Sequence, residues 1–524
     1  HKSRATQLNL AAAVAATSLS ALASPIVVAQ ETTRELLPLE EVIVTARRRE
    51  ESMQDIPVAV TALSNDFLRE QSITQLDELG IHIPSFRVSY GGTGTADPVL
   101  TLRGQRPSTV TVTEDPAVPV YFAEVVITPT MGSNLAMYDL ANVQVLKGPQ
   151  GTLFGRNSTG GALLMTPQPP GDELGGYLEA RVGSYDLVHL EGAADLPVSD
   201  SLRFRVAGRS LDRDGYQSNV ADNPLKKDDV FWDEDSWGVR VTMDWTPNDS
   251  FANTTTFAYD ENETYSRVAE IQIYNSSADL AALYNLVHNG ALGIGGPAID
   301  EAVARQQKRD WKDVEVDALA TESVEAVFLS NITEFELSSN YSIKNVFGYR
   351  DMDREGTSDA DGTSVPLFGA RTSATENFTR NTPLGAVEGE QFSNELQLIG
   401  SSFDENLDWI AGVYWMQMDG LETYPLQISG INPDWPTGGS GIPPIDIVAT
   451  EGYYQNSPNV DAKNEAYAIF GEGTYIFNQE WSFTLGLRQT WDEREITAKN
   501  EAFSTATCVY GCAMFDENNE PLPD

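Results

Sequence analysis

Residues Ser236–Trp245 read SWGVRVTMDW. Trp237, Val239, Val241, Met243 and Trp245 alternate with Gly238, Arg240, Thr242 and Asp244. This period of two puts the apolar side chains on one face of an extended strand and the small or polar ones on the other. A half-buried strand of a soluble sandwich has the same period. The two tryptophans, however, sit where interfacial girdles flank the lipid-facing band of a membrane barrel. The pattern recurs in Leu178, Ala180 and Val182 against Glu179 and Arg181, and in Leu202, Phe204 and Val206 against Arg203 and Arg205. It recurs again in Leu407, Trp409, Ala411, Val413 and Trp415, and in Trp481, Phe483, Leu485 and Leu487 against Ser482, Thr484 and Arg488. Strand length and flanking aromatics together favour a transmembrane barrel over a sandwich.

The connections sharpen that reading. About eleven candidate strands follow residue 174, and after a first short link the gaps alternate between tight turns and long polar loops, as in outer-membrane barrels. PVSDS near 197, TPND near 246, SSN near 338, SSFDEN near 401 and FNQE near 477 are the tight turns. The long loops fall near 212–236, 260–322, 353–388 and 420–463 and are rich in Asp, Asn, Gly and Tyr. Loops of that length are hard to place in a compact soluble domain. A single-chain bacterial barrel needs an even strand number, and an open edge in hydrocarbon leaves N–H and C=O groups unpaired. The reading therefore expects a truncated barrel that is no stable pore by itself, with residues also missing before His1.

The chain of 524 residues is 41% hydrophobic and 21% charged, with a formal net charge of -43. That balance argues against nucleic acid or anionic headgroups as partners. Two cysteines and four histidines offer no cluster at metal-ligand spacing, so no metal or cofactor is expected. Residues 1–29 read as an export signal: Lys2 and Arg4, the Ala/Leu-rich stretch Leu8–Ala23, then small residues, with cleavage after Ala23 or Ala29. No later stretch approaches the roughly 20 apolar residues of a spanning helix.

Residues 30–52 form a linker containing LEEVIVTARRRE, in which Val42, Ile43, Val44 and Thr45 favour extended backbone. Such a run can add to another protein's sheet edge, or it can be the first strand of the next domain. Residues 53–170 read as a small α+β domain, with Ser64 and Ser72 capping two short helices, the second running ITQLDEL and stopping at Gly80. Gly148, Gly151, Gly155, Gly160 and Gly161 permit tight turns and close backbone approach. Phe154 serves there as an apolar anchor and Arg156 can pair with barrel-wall carboxylates. No phosphate-binding loop, dinucleotide spacing at 91–94, nucleophile elbow or metalloprotease helix motif is present, so no catalytic residue is assigned. The remainder, 171–524, is the barrel portion.

Residues 143–162, VQVLKGPQGTLFGRNSTGGA, resemble the plug-domain signature of TonB-dependent outer-membrane receptors, LTLRG at Leu100–Gly104 resembles another plug motif, and EEVIVTA at Glu40–Ala46 resembles the TonB box. EQFSNELQLIG near 390, WIAGVYW near 409 and FTLGLRQTWDE near 483 resemble barrel strands of the same family. Where that family has a YVDGV-like strand, this chain has YFAEVV at Tyr121–Val126, without the Asp-Gly turn. The resemblance implies a mainly β fold: a transmembrane antiparallel barrel, here about half of a roughly 22-stranded one, enclosing a small α+β plug. It implies a plug motif of Arg103, Gly104, Gly148, Pro149, Gln150, Gly151, Phe154, Gly155, Arg156, Gly160 and Gly161, and a TonB box of Glu41, Val42, Ile43, Val44, Thr45 and Ala46. It further implies a bacterial outer-membrane importer rather than an enzyme, with outer-membrane lipid around it and the energy-transducing protein TonB as partner. The leading cargo is a ferric siderophore, with haem, cobalamin and oligosaccharides as alternatives. Tyr90 and Arg106 near plug loops, and Trp435, Tyr453 and Tyr454 in a long outer loop, are the candidate cargo contacts. A passive porin would need neither plug nor TonB box. A secreted β-rich binding protein would lack the paired tryptophans.

Cys508 and Cys512 lie in an expected outer loop of an exported chain, where a local disulfide is favoured over a metal site. Mass spectrometry of non-reduced peptides is expected to find them joined. Two free thiols in the mature protein would contradict this.

Overall fold

Eleven long antiparallel strands follow one another through a single sheet, each paired with its neighbour in sequence. They are β1 (Gly175–Val182), β2 (Val188–Ser199), β3 (Leu202–Arg213), β4 (Glu234–Asn248), β5 (Phe251–Tyr265) and β6 (Thr321–Ser338). The meander continues through β7 (Tyr341–Thr357), β8 (Ala386–Ser402), β9 (Leu407–Thr423), β10 (Tyr453–Ile476) and β11 (Ser482–Ser504). This computed structural model describes residues 43–44, 51–52, 58–90, 96–108, 111–221, 227–271, 275, 299–316, 320–357, 362–363, 386–423, 426–429, 453–478 and 480–504. Among them, β1 and β11 do not pair with each other, so the described wall is an open sheet.

The alternation expected from the sequence is the one observed. In β4, Trp237 is 44% and Trp245 43% exposed on the outer face, while Gly238, Arg240 and Thr242 are buried on the inner one. Leu178, Val182, Val206, Val413, Trp481, Phe483, Leu485 and Leu487 also face outward, forming an exposed apolar belt. No helix among the described residues is long and apolar enough to cross a membrane, so the belt belongs to strands alone. Every expected tight turn joins two strands. The long connections are shorter than read, because strands run on into polar sequence. Tyr453–Lys463, read as loop, is the start of β10, where Tyr454 pairs with both Ile428 and Ser504. Where both faces of a strand are polar, the period-two contrast disappears although the backbone ladder persists. In the remaining outer connections, Gln217–Asn219, Lys227–Phe231 and Asp313–Val314 make a small sheet over a core of Phe231, Val268, Val314, Val316 and Ala320.

Residues 58–170 fold into an inner domain against the concave face of this wall. Its five-stranded sheet has the order Ala59–Ser64, Leu140–Lys147, Gly161–Pro167, Val120–Phe122, Val125–Ile127. A separate hairpin joins Phe86–Tyr90 to Pro98–Leu102. Leu76, Leu79, Ile83, Leu102, Val143, Val145 and Leu163 are fully buried, and the core continues into the wall through Ala258, Phe328 and Val346. Phe122 and Phe328 meet edge to face at 5.0 Å.

Ser64 caps the helix Asn65–Glu70 as expected, its hydroxyl accepting the Phe67 N–H. The second expected helix is not formed over 73–79. Ser72 adopts a left-handed φ of 54°, which an N-cap does not. Instead the Glu78 carboxylate accepts the N–H groups of Thr74 (2.6 Å) and Gln75 (3.0 Å), folding 73–78 into turns, and a single helical turn follows at Leu79–His82.

Candidate functional site

The glycine-rich segment 148–161 is a closed loop. Gly148 N–H donates to Gly160 O and Gln150 N–H to Ser158 O, with one helical turn, Gly151–Phe154, between. Gly161 has φ 144°, and a Cβ there would lie 1.9 Å from the Leu146 carbonyl oxygen, so the return into the sheet excludes any side chain. Gly155, at φ 76°, lies flat on Arg488 of β11, where a Cβ would be 2.9 Å from the guanidinium. Phe154 is buried and packs edge to face on Tyr121, whose hydroxyl donates to the Phe154 carbonyl at 2.8 Å. Arg156 reaches Asp492 of β11 at 2.8 Å. A cavity between this loop and β8–β11 is lined by Tyr121, Phe154, Arg156, Glu395, Tyr414 and Arg488, among others. Gly151 borders open space, and Pro149 continues the loop. Arg103 and Gly104, at φ 51° and 81°, form a left-handed two-residue turn closed between Leu102 and Gln105; Arg103 Nη1 donates to Lys147 O at 3.2 Å.

YFAEVV forms the hairpin that an Asp-Gly turn would form. Val120 pairs with Ile127, Tyr121 with Val126 and Phe122 with Val125, leaving Ala123 and Glu124 as the two turn residues at φ 45° and 65°. Left-handed backbone costs a non-glycine residue about 1–2 kcal/mol. Contacts with neighbours offset it: Ala123 N–H donates to Met165 O, Ser330 Oγ of β6 donates to Ala123 O at 2.9 Å, and Lys344 Nζ of β7 meets Glu124 Oε1 at 2.7 Å.

From this turn to Asp139 the wall holds the inner domain with inward-facing polar side chains. Gln391 of β8 accepts from Thr128 N–H and donates to Val126 O. Arg350 of β7 donates to Pro129 O at 2.9 Å and also to Met131 O. Arg240 of β4 donates to Ala136 O and Tyr138 O, with its guanidinium between the rings of Phe122 and Tyr138. Arg205 of β3 joins Asp139 (2.6 Å) to Asp195 (2.8 Å). Sequence reasoning missed these residues as a set. Their signal was available, since each is a charged or amide side chain at an inward position of an alternating strand.

A second contact set lies where Ala96 N–H donates to Glu322 Oε2 (3.0 Å) and Val112 N–H to Glu422 Oε2 (3.1 Å). Arg354 there pairs with both Asp97 and Glu322 at 3.1 Å. Burial pushes the Asp97 carboxyl up to about 7; Arg354 opposes the shift, and Glu322 and Glu422 add to it.

The other expected contacts disperse. Tyr90 is half-buried and its hydroxyl donates to Asp77 at 2.9 Å, while burial and that carboxylate push the phenol well above its usual range. Arg106 is exposed and donates to the adjacent Pro107 carbonyl. Tyr453 and Tyr454 lie in β10, not in a loop; their side chains lie outside the described residues, as do Trp435, Cys508 and Cys512. Of the expected TonB box, Glu41, Val42, Thr45 and Ala46 also lie outside them. Ile43 and Val44 pair antiparallel with Ser52 and Glu51 in a ladder separate from the five-stranded sheet.

Residues 52–162 match the TonB-dependent receptor plug domain. This chain carries a TonB-dependent receptor plug domain. It is 28% identical over 165 residues to the pesticin receptor of Yersinia pestis, an alignment covering 31% of this chain and 24% of that protein. It is 30% identical over 149 residues to the pesticin receptor of Yersinia enterocolitica, covering 28% and 21%. The crystal structure of the ferric yersiniabactin uptake receptor FyuA from Yersinia pestis superposes with TM-score 0.54 at 14% identity, over 84% of this chain and 62% of that one. The siderophore receptor PiuA from Acinetobacter baumannii superposes with TM-score 0.53 at 12% identity, over 85% and 62%. The chain thus spans less than two thirds of the relatives it matches, and at these identities the structural likeness is one of fold: a plug set in an antiparallel barrel wall.

Plug and wall therefore meet through groups that titrate. Asp97 in the folded chain keeps its proton to a higher pH than an unfolded chain, whose carboxyl titrates near 3.8. Its contribution to stability is complete below that value and is lost as pH rises through about 7. Amide exchange in Val99–Leu102, corrected for intrinsic rate, is expected to be slower at pH 5.5 than at 8.5, and Asp97→Asn to remove the difference. An unchanged difference in that variant would contradict the assignment.

Proposed function

We propose that this protein is a receptor of the bacterial outer membrane that takes up a ferric siderophore at the expense of energy delivered by TonB. The carrying observation is that a whole folded domain, matched to the plug of TonB-dependent receptors, lies against the inner face of an outward-apolar wall and is bonded to it by side chains from many strands. An open channel has no use for such a domain, which weighs against a passive porin. The exposed apolar belt likewise weighs against a secreted binding protein.

Support for an iron chelate comes from the structural neighbours. One of the superposed receptors takes up ferric yersiniabactin and another is a siderophore receptor. Haem, cobalamin and oligosaccharides remain the alternative cargoes of the same mechanism. In this reading Val42–Thr45 is the segment that TonB pairs with as an added strand. The two-residue ladder of Ile43 and Val44 fits that role, because so short a pairing can exchange its partner for a longer one. The plug then shifts within the wall and cargo passes. The work is recognition and transport, with no catalytic step.

In cells, Val44→Pro is expected to lower uptake by about tenfold or more while surface binding of the ferric chelate stays unchanged, because proline removes a backbone donor from the added strand. Radiolabelled-iron uptake and binding at 4 °C separate the two. Wild-type uptake in the variant would overturn the TonB-box assignment. If deleting the gene leaves entry of every ferric chelate tried unchanged but blocks a glycan or a vitamin, the iron reading is wrong.

A further inference from the structure

The hairpin Val120–Ile127 carries a turn that its own residues do not favour. Ala123 and Glu124 occupy left-handed backbone that Asn, Asp or Gly adopts with less strain, so the turn depends on what touches it. Two of those contacts come from the wall, on adjacent strands: Ser330 of β6 on the Ala123 carbonyl and Lys344 of β7 on the Glu124 carboxylate. Lys344 is 12% exposed and also meets Glu334 of β6 at 3.0 Å, and Glu334, its direct cross-strand partner, is 50% exposed. The three charges sit within a few residues of the tight turn at Ser338–Tyr341, near the edge of the wall that short turns define. Short turns face the periplasm in outer-membrane barrels, which is the side from which the plug would be pulled.

We propose that Lys344 is a latch: a positioning residue that holds the plug hairpin Val120–Ile127 closed against the wall by bridging Glu124 of the plug to Glu334. Glu334 has two tasks in this arrangement. It keeps Lys344 charged and oriented when Glu124 is in place, and it offers an alternative partner, half in water, when Glu124 leaves. A lysine shared between a partly buried and a half-exposed carboxylate can transfer from one to the other without being stranded unpaired, which is the costly outcome for a buried charge. The strain at Ala123 and Glu124 favours opening once the bridge is broken. The wall arginines differ from this contact. Arg240 and Arg350 donate to backbone carbonyls of residues 129–139, and no single side-chain exchange releases those.

The latch goes beyond the uptake reading and is tested without cargo or energy. Its readout is the passive entry of vancomycin, a solute too large for ordinary porins, into cells carrying the full gene or its variants, with outer-membrane amounts matched by immunoblot. Lys344→Glu is expected to lower the inhibitory vancomycin concentration by at least about fourfold. Lys344→Arg, which keeps the charge, is expected to stay near wild type. The exchange Glu124→Lys with Lys344→Glu, made in a Glu334→Gln background so that no like charges face each other across the strands, restores the plug-to-wall pair and is expected to recover most of the resistance. If Lys344→Glu fails to assemble, Lys344→Gln is read in the same assay with the same expectation. Wild-type resistance in the assembled single variant, or an exchange no better than Lys344→Glu alone, would overturn the latch. Neither result would touch the uptake reading, which is measured with labelled iron.

Discussion

The structure depends on one constraint: a plug with buried backbone carbonyls must be bonded to a wall whose outer face carries an apolar belt. The inner face carries the whole of that task. Arg240, 1% exposed, shows how it is met. Its guanidinium gives one set of donors to the carbonyls of Ala136 and Tyr138 while its faces cover two aromatic rings. Arginine suits this place because its planar fork supplies several donors at once and is less strongly hydrated than an ammonium. Each such contact is worth about 1.5–3 kcal/mol when a charged group is involved, and removing the cation leaves carbonyls buried without partners. The plug is thereby held by polar bonds that can re-form in shifted positions, whereas an apolar interface of equal size would have no comparable set of alternative partners.

The distribution of these bonds gives the plug two kinds of border. Along residues 123–139 the wall strands β3 to β8 contribute a guanidinium, ammonium, hydroxyl or amide at nearly every step. Facing β8 to β11, the glycine loop 148–161 meets the wall through a cavity, the stacked Arg488 and the ion pair of Arg156 with Asp492. The glycines there are required by geometry. Gly161 accommodates a carbonyl 1.9 Å from where a Cβ would stand, and Gly155 lets an arginine of the wall lie directly on the backbone.

Much of this was legible in the sequence because side chains along a strand alternate between its two faces. Trp237 and Trp245 announced one face of β4 and, by implication, Arg240 on the other. The tight turns were legible from their composition. The outer ends of the strands were not: YYQNSP at Tyr453–Pro458 carries no apolar-polar alternation, so nothing in that pattern separates ladder from loop, and two tyrosines read as loop residues belong to β10. The turn at 73–78 was misread for a related reason. Ser72 has the chemistry of a cap, but Glu78, several residues later, takes the amide groups that a helix would have left to it. Contacts between distant segments were beyond reach. Glu124 looked like the loss of an Asp-Gly turn, and only the fold places Lys344, 220 residues away, against it.

These plug-to-wall bonds require residues 123–139 to be seated on the inner face of β3 to β8. Thr128 and Gln391 test this most directly, since the Thr128 N–H lies 2.9 Å from Gln391 Oε1. Cysteines placed at both positions, in a chain whose Cys508 and Cys512 are serine, should be joined in intact outer membranes by a short bis-thiol-reactive linker. The product would be a cross-linked band formed in most molecules and absent from either single variant. Efficient labelling of both cysteines by a bulky water-soluble maleimide, with no cross-link, would show that the segment does not lie there.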